Sequence, residues 1–98
     1  MQHMVVQPHR EFQMIGGTKR TQVAVMVIFP GEFCSSEDIE DLRSDQWFYI
    51  ISGSGMAKVE HSDIKISKGS MLLVEAGERY QIISTVEQLS ILNFFVPQ

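Results

Sequence analysis

A chain of 98 residues, 44% of them hydrophobic, can bury one apolar core and leaves no room for a second. The net charge is -4, and the eight basic residues (Arg10, Lys19, Arg20, Arg43, Lys58, Lys65, Lys68, Arg79) are scattered, which excludes the clustered cationic surface that nucleic acid requires. No run approaches the ~20 apolar residues of a membrane-spanning helix, so no membrane partner is expected either.

The chain opens on residues 1–10, which hold His3, Pro8 and His9 and no apolar run of the signal-peptide kind. With a single cysteine, Cys34, no internal disulfide can form, and the expected setting is the cytoplasm, with the chain soluble and unprocessed. Residues 4–7 and 12–14 are short apolar fragments that read as edge strands or an arm, closed by the turn pair Gly16-Gly17. Residues 21–29 carry Val23, Val25, Val27 and Ile28 almost without polar interruption and stop at Pro30-Gly31, which predicts a central strand covered on both faces.

Residues 31–45 hold six of the twelve carboxylates (Glu32, Glu37, Asp38, Glu40, Asp41, Asp45) and read as a loop. The alternating run from Gln46 to Ser52 predicts a strand with Gln46, Phe48 and Ile50 on one face and Trp47, Tyr49 and Ile51 on the other, neither of them wet. Gly53-Ser54-Gly55 predicts a turn, residues 56–61 a returning strand, Ser62-Asp63 a second turn, and Ile64 and Ile66 a further strand by their alternation with Lys65 and Ser67. Residues 71–74, 80–84 and 89–95 complete the set, with Gly77 supplying a positive-φ turn position. Seven to nine short strands, evenly spaced and without helical periodicity, define an all-β class: a small antiparallel β-barrel or jelly roll.

Two glycine frames stand out in this series. Gln46 is followed after six residues by Gly53, and Gly69 is followed by Gly77 with Tyr80 three residues beyond and Ser84 after that. In their order, separation and all-β context these frames resemble the two motifs of the cupin superfamily, G-x5-H-x-H-x(3,4)-E-x6-G and G-x5-P-x-G-x2-H-x3-N. The resemblance covers residues 21–97, and implies one cupin-like domain over residues 1–98 with residues 1–20 as N-terminal arm and edge strands. It also implies pairing as a homodimer, as small cupins commonly do; the face carrying Trp47 and Tyr49 is one place for that contact.

The departures lie at the family's metal ligands. Where the motifs hold two histidines this chain reads Glu40-Asp41-Leu42-Arg43; the glutamate is Gln46, the second-motif histidine is Tyr80, the proline is Glu75 and the asparagine is Ser84. An amide is a weak ligand and a phenol must lose a proton of pKa about 10 to bind well, so no metal and no other cofactor is expected. The acidic loop lacks the spacing of a calcium-binding loop. His3, His9 and His61 read as solvated, and Cys34 has no base placed near it by the sequence.

The interior of such a barrel is expected to hold Gln46, Phe48, Tyr80, Ser84, Asn93 and Met26, an apolar pocket with a few polar groups suited to a small organic ligand. The leading expectation is therefore a metal-free barrel that binds a small molecule or serves as a structural or regulatory module. The alternative is a metal-dependent isomerase, cyclase or dioxygenase using one divalent transition metal on Asp41, Gln46 and Tyr80. A third arrangement plugs the barrel, with Tyr80 and Gln46 satisfying each other. Whether the chain is an enzyme stays open at this point.

Overall fold

The computed structural model describes residues 1–6, 12–36 and 44–96. Among these residues the strands are β1 (Phe12–Gly17), β2 (Gln22–Ile28), β3 (Phe33–Ser35), β4 (Gln46–Ser52), β5 (Ser54–Val59), β6 (Ser62–Ser67), β7 (Met71–Val74), β8 (Tyr80–Ser84) and β9 (Leu89–Phe95). They form two antiparallel sheets, a five-stranded one in the order β1-β2-β9-β4-β7 and a four-stranded one in the order β3-β8-β5-β6. The all-β jelly-roll expectation holds. No helix among the described residues is long and apolar enough to cross a membrane.

Strand alternation divides each sheet into an inner and an outer face. The inner faces meet in one core of Met26, Ile28, Phe48, Ile50, Ala57, Ile66, Val74, Tyr80, Ile82, Leu89 and Ile91, against which Cys34, Val59 and Leu72 pack from its margins. Residues this apolar, removed from water on two facing sheets, supply the dominant stabilising term of a fold without disulfides.

The expected Gly53-Ser54-Gly55 turn is corrected: Gly53 alone joins β4 to β5, which lie in different sheets, and Ser54 and Gly55 already belong to β5 because the chain passes straight from one sheet to the other. Gly53 has φ +91, and a Cβ there would overlap the Gln88 carbonyl oxygen and lie 3.1 Å from Leu89 Cα. A Cβ at Gly55 would overlap the Ile83 carbonyl oxygen and lie 2.8 Å from Leu89 Cδ1. Only glycine lets the start of β5 approach the β8–β9 connection this closely.

Several local expectations are corrected. Gly16-Gly17 is not a turn but the end of β1, which shifts register between Met14 and Gly16; the turn follows it, closed by Thr18 N–H donating to the Thr21 carbonyl at 2.7 Å. Of the expected fragment 4–7, residues 4–6 form no strand and Gln7 lies outside the described residues; Gln2 is tethered by its side-chain amide, which exchanges hydrogen bonds with both Gly17 backbone groups at 2.6 and 3.2 Å. The acidic segment contains β3, three residues paired to β8. The second hairpin turns at Glu60-His61, with Ser62 and Asp63 already in β6, because Val59 pairs with Ser62. Gly77 has φ +90, as expected.

The outer face of the larger sheet is not dry. Trp47 is 44% exposed, Leu73 39% and Met71 56%. Cross-strand register places Val23, Phe94, Trp47 and Leu73 in one row and Val25, Leu92, Tyr49 and Met71 in the next, two rows without a charge across four strands.

Candidate functional site

The inward residues of the larger sheet stack in layers fixed by register. Gln22, Phe95, Gln46 and Val74 form the layer at one end; Ala24, Asn93, Phe48 and Leu72 the next; Met26, Ile91 and Ile50 follow, then Ile28 and Leu89. Across the lumen, Tyr80 pairs with Val59, Ile82 with Ala57, and Ser84 with Gly55 at the far end. Beyond the second layer the larger sheet's lining is aliphatic and buried, with Ser84 of the smaller sheet the polar group at the far end; Gln46 and Asn93 pair at the other end.

There Asn93 Nδ2 donates to Gln46 Oε1 at 2.9 Å and to the Trp47 carbonyl at 3.2 Å. Both side chains are nearly closed to solvent, Gln46 at 6% and Asn93 at 2%. The pairing uses one end of each amide. Among the described residues nothing accepts from Gln46 Nε2 and nothing donates to Asn93 Oδ1, so the pair keeps one unused donor and one unused acceptor. The Tyr80 ring lies 5.2 Å from that of Phe48, tilted by 58°, and walls the same region.

Three contacts hold the rim around these groups. Tyr80 N–H donates to the buried Ser36 hydroxyl at 3.2 Å, Ser44 Oγ donates to the Val96 carbonyl at 2.6 Å, and Ala76 N–H donates to Asp45 Oδ1 at 2.8 Å. Ser36 and Ser44 carry no motif signal; only register and burial reveal them.

The structure thus brings together Gln46, Phe48, Tyr80 and Asn93, with Met26 one layer deeper against Ile91. It does not bring Ser84 to them. Ser84 is buried at the opposite end of β8, where its Oγ donates to the Glu87 carbonyl at 2.5 Å and its backbone pairs with Gly31 and Glu32. The partner of the Gln46 carbonyl oxygen is Asn93 rather than Tyr80. Asp41 and His9 lie outside the described residues, and His3 and His61 are exposed.

The described donors do not suit a transition metal. No three His, Cys, Asp or Glu side chains converge among the described residues, and the carbonyl oxygen of Gln46, at the family's glutamate position, is occupied by Asn93. What the arrangement offers is hydrogen bonding to neutral polar groups at the margin of an apolar core.

No protein-family model matches the chain, and no curated protein matches it. Solved structures do. The structure of KdgF from Halomonas sp. superposes with a TM-score of 0.78 at 14% sequence identity, covering 89% of this chain and 77% of that one. BH2720 from Bacillus halodurans gives 0.81 at 18%, covering 90% and 70%. An RmlC-like cupin from Shewanella frigidimarina gives 0.77 at 15%, covering 89% and 75%. The fold of this chain is the cupin fold.

Proposed function

We propose that the chain is a small-molecule-binding cupin barrel that works without a transition metal, its ligand seated at the polar end of the lumen. The observation that carries this reading is the buried Gln46–Asn93 pair, which presents a donor and an acceptor beside the Phe48 and Tyr80 rings. A hydroxyl or a primary amide on a compact apolar body complements that pair. Protein-observed NMR against a panel of neutral polyols and amides tests it. Saturable shifts at Gln46, Asn93 and Tyr80, lost in a Gln46→Leu/Asn93→Leu variant, support the reading. A panel without saturable binding leaves the structural or regulatory module. Near one equivalent of Fe, Mn, Ni or Zn per chain, lost on Gln46→Ala, overturns the metal-free reading in favour of a metal-dependent enzyme.

The uncharged rows on the outer face support a homodimer in which each copy offers the same face to the other. Two molecules of charge -4 repel through their charged surfaces, and these rows are where that repulsion is smallest. The lone Cys34 supports a reducing compartment, the cytoplasm.

A further inference from the structure

We propose that the outer face of the smaller sheet carries a second binding site, for a small organic anion, in the cleft between β3, β8 and the end of β5. Its volume is about 390 Å³, within the range of small-ligand sites. Register builds it: Gln81 of β8 pairs with Ser35 of β3 on one side and Lys58 of β5 on the other, so three strands present polar side chains at one level. Arg79 stands just beyond, and Phe33, 55% exposed, forms the apolar wall.

The charge of this cleft departs from that of the molecule. Two cations, Lys58 and Arg79, face one carboxylate, Glu60, on a chain whose net charge is -4. Neither cation forms an ion pair with a described residue. Glu60 is already engaged: its Oε1 accepts from Arg79 N–H at 3.0 Å, while its own N–H donates to the Arg79 carbonyl at 2.9 Å. It also holds φ +53, an uncommon backbone conformation for a residue with a side chain. Such a conformation persists where the surroundings fix it, and here the two-point clamp sets Arg79 opposite Glu60, two residues along from the Lys58–Gln81 pair.

A carboxylate or phosphate between Lys58 and Arg79, with Gln81 as a neutral partner and a ring against Phe33, satisfies both cations together. The site is separate from the lumen reading, sharing with it Tyr80 and the Ser36 that its backbone N–H contacts.

The test is a titration of the full chain, followed by ¹⁵N–¹H spectra at fixed ionic strength, with benzoate, inorganic phosphate and benzyl alcohol. Saturable shifts at Lys58, Arg79 and Gln81 are expected with an anion and not with the alcohol. Tighter binding of benzoate assigns the site to organic carboxylates, and tighter binding of phosphate to phosphate groups. Lys58→Gln/Arg79→Gln should weaken binding at least tenfold while keeping a folded spectrum, since both positions are exposed; Gln46→Leu/Asn93→Leu should leave it unchanged. Shifts that do not saturate, or saturable binding unaltered in Lys58→Gln/Arg79→Gln, overturn the proposal. Anion binding abolished only by the lumen variant also overturns it, and leaves the lumen reading standing.

Discussion

Asn93 Nδ2 lies 2.9 Å from Gln46 Oε1 and 3.2 Å from the Trp47 carbonyl oxygen, so one amide fastens β9 to β4 where the lumen passes from aliphatic to polar. Removing Asn93 alone strands a buried acceptor, whereas replacing both partners with apolar groups removes the demand. Asn93→Leu should therefore cost about 1–3 kcal/mol in urea denaturation. Gln46→Leu/Asn93→Leu should recover a large part of that loss. A double variant no more stable than the single one would show that the pair is not the coupled unit described.

The glycines of the two frames should separate by what surrounds them. Gly53 and Gly77 share nearly the same φ, +91 and +90, but nothing lies within 4 Å of a Cβ at Gly77, whereas one at Gly53 overlaps backbone. Gly77→Ala should cost about 1–2 kcal/mol from left-handed backbone alone. Gly53→Ala should cost clearly more, because the Gln88 carbonyl cannot rotate away as a side chain could. Equal melting temperatures for the two variants would contradict the close approach of β5 to the β8–β9 connection.

Those frames are also where the sequence was most legible. β4, β7 and β8 follow their apolar runs to the residue because glycine or a polar cluster closes each run, and β9 stops short of Pro97. β3 was hidden because three residues in an acidic segment carry too little alternation to register as a strand. The parity of Trp47 could be read but not its exposure, since what covers a sheet face is decided by the whole fold. The partner of Gln46 is 47 residues away, and Lys58 meets Gln81 only through the β5–β8 register, so neither grouping is visible before strands are paired. Ser84 shows the converse: its parity correctly marks it as inward and buried, but four residues along β8 from Tyr80 it meets Glu87, Gly31 and Glu32 rather than Gln46.

Glu60 opposes two effects in one residue. Its φ of +53 disfavours a side chain, and its Oε1 contact to Arg79 N–H requires one. Glu60→Ala keeps the backbone penalty and loses the contact, so it should lower the melting temperature more than either Glu60→Gln, which retains an acceptor oxygen, or Glu60→Gly, which relieves the backbone. Amide exchange at Arg79 should accelerate in the Ala and Gly variants and not in the Gln variant. Unchanged exchange at Arg79 in Glu60→Ala would remove the clamp from the account of the cleft.

Trp47 is the only tryptophan of the chain and sits between Phe94 and Leu73 in the uncharged rows, so it reports directly on the proposed dimer face. Burial against a second copy should shift its emission to shorter wavelength, and dilution through the dissociation range should reverse that shift as sedimentation mass falls to one chain. Trp47→Glu places a charge in both copies of a self-paired patch, where like charges meet across the symmetry axis and must lose water together. It should yield monomer at all concentrations with little loss of fold stability, because the ring is 44% exposed in the single chain. If wild-type protein sediments as a dimer and Trp47→Glu does too, the contact lies elsewhere, and the exposed row needs a different partner to explain it.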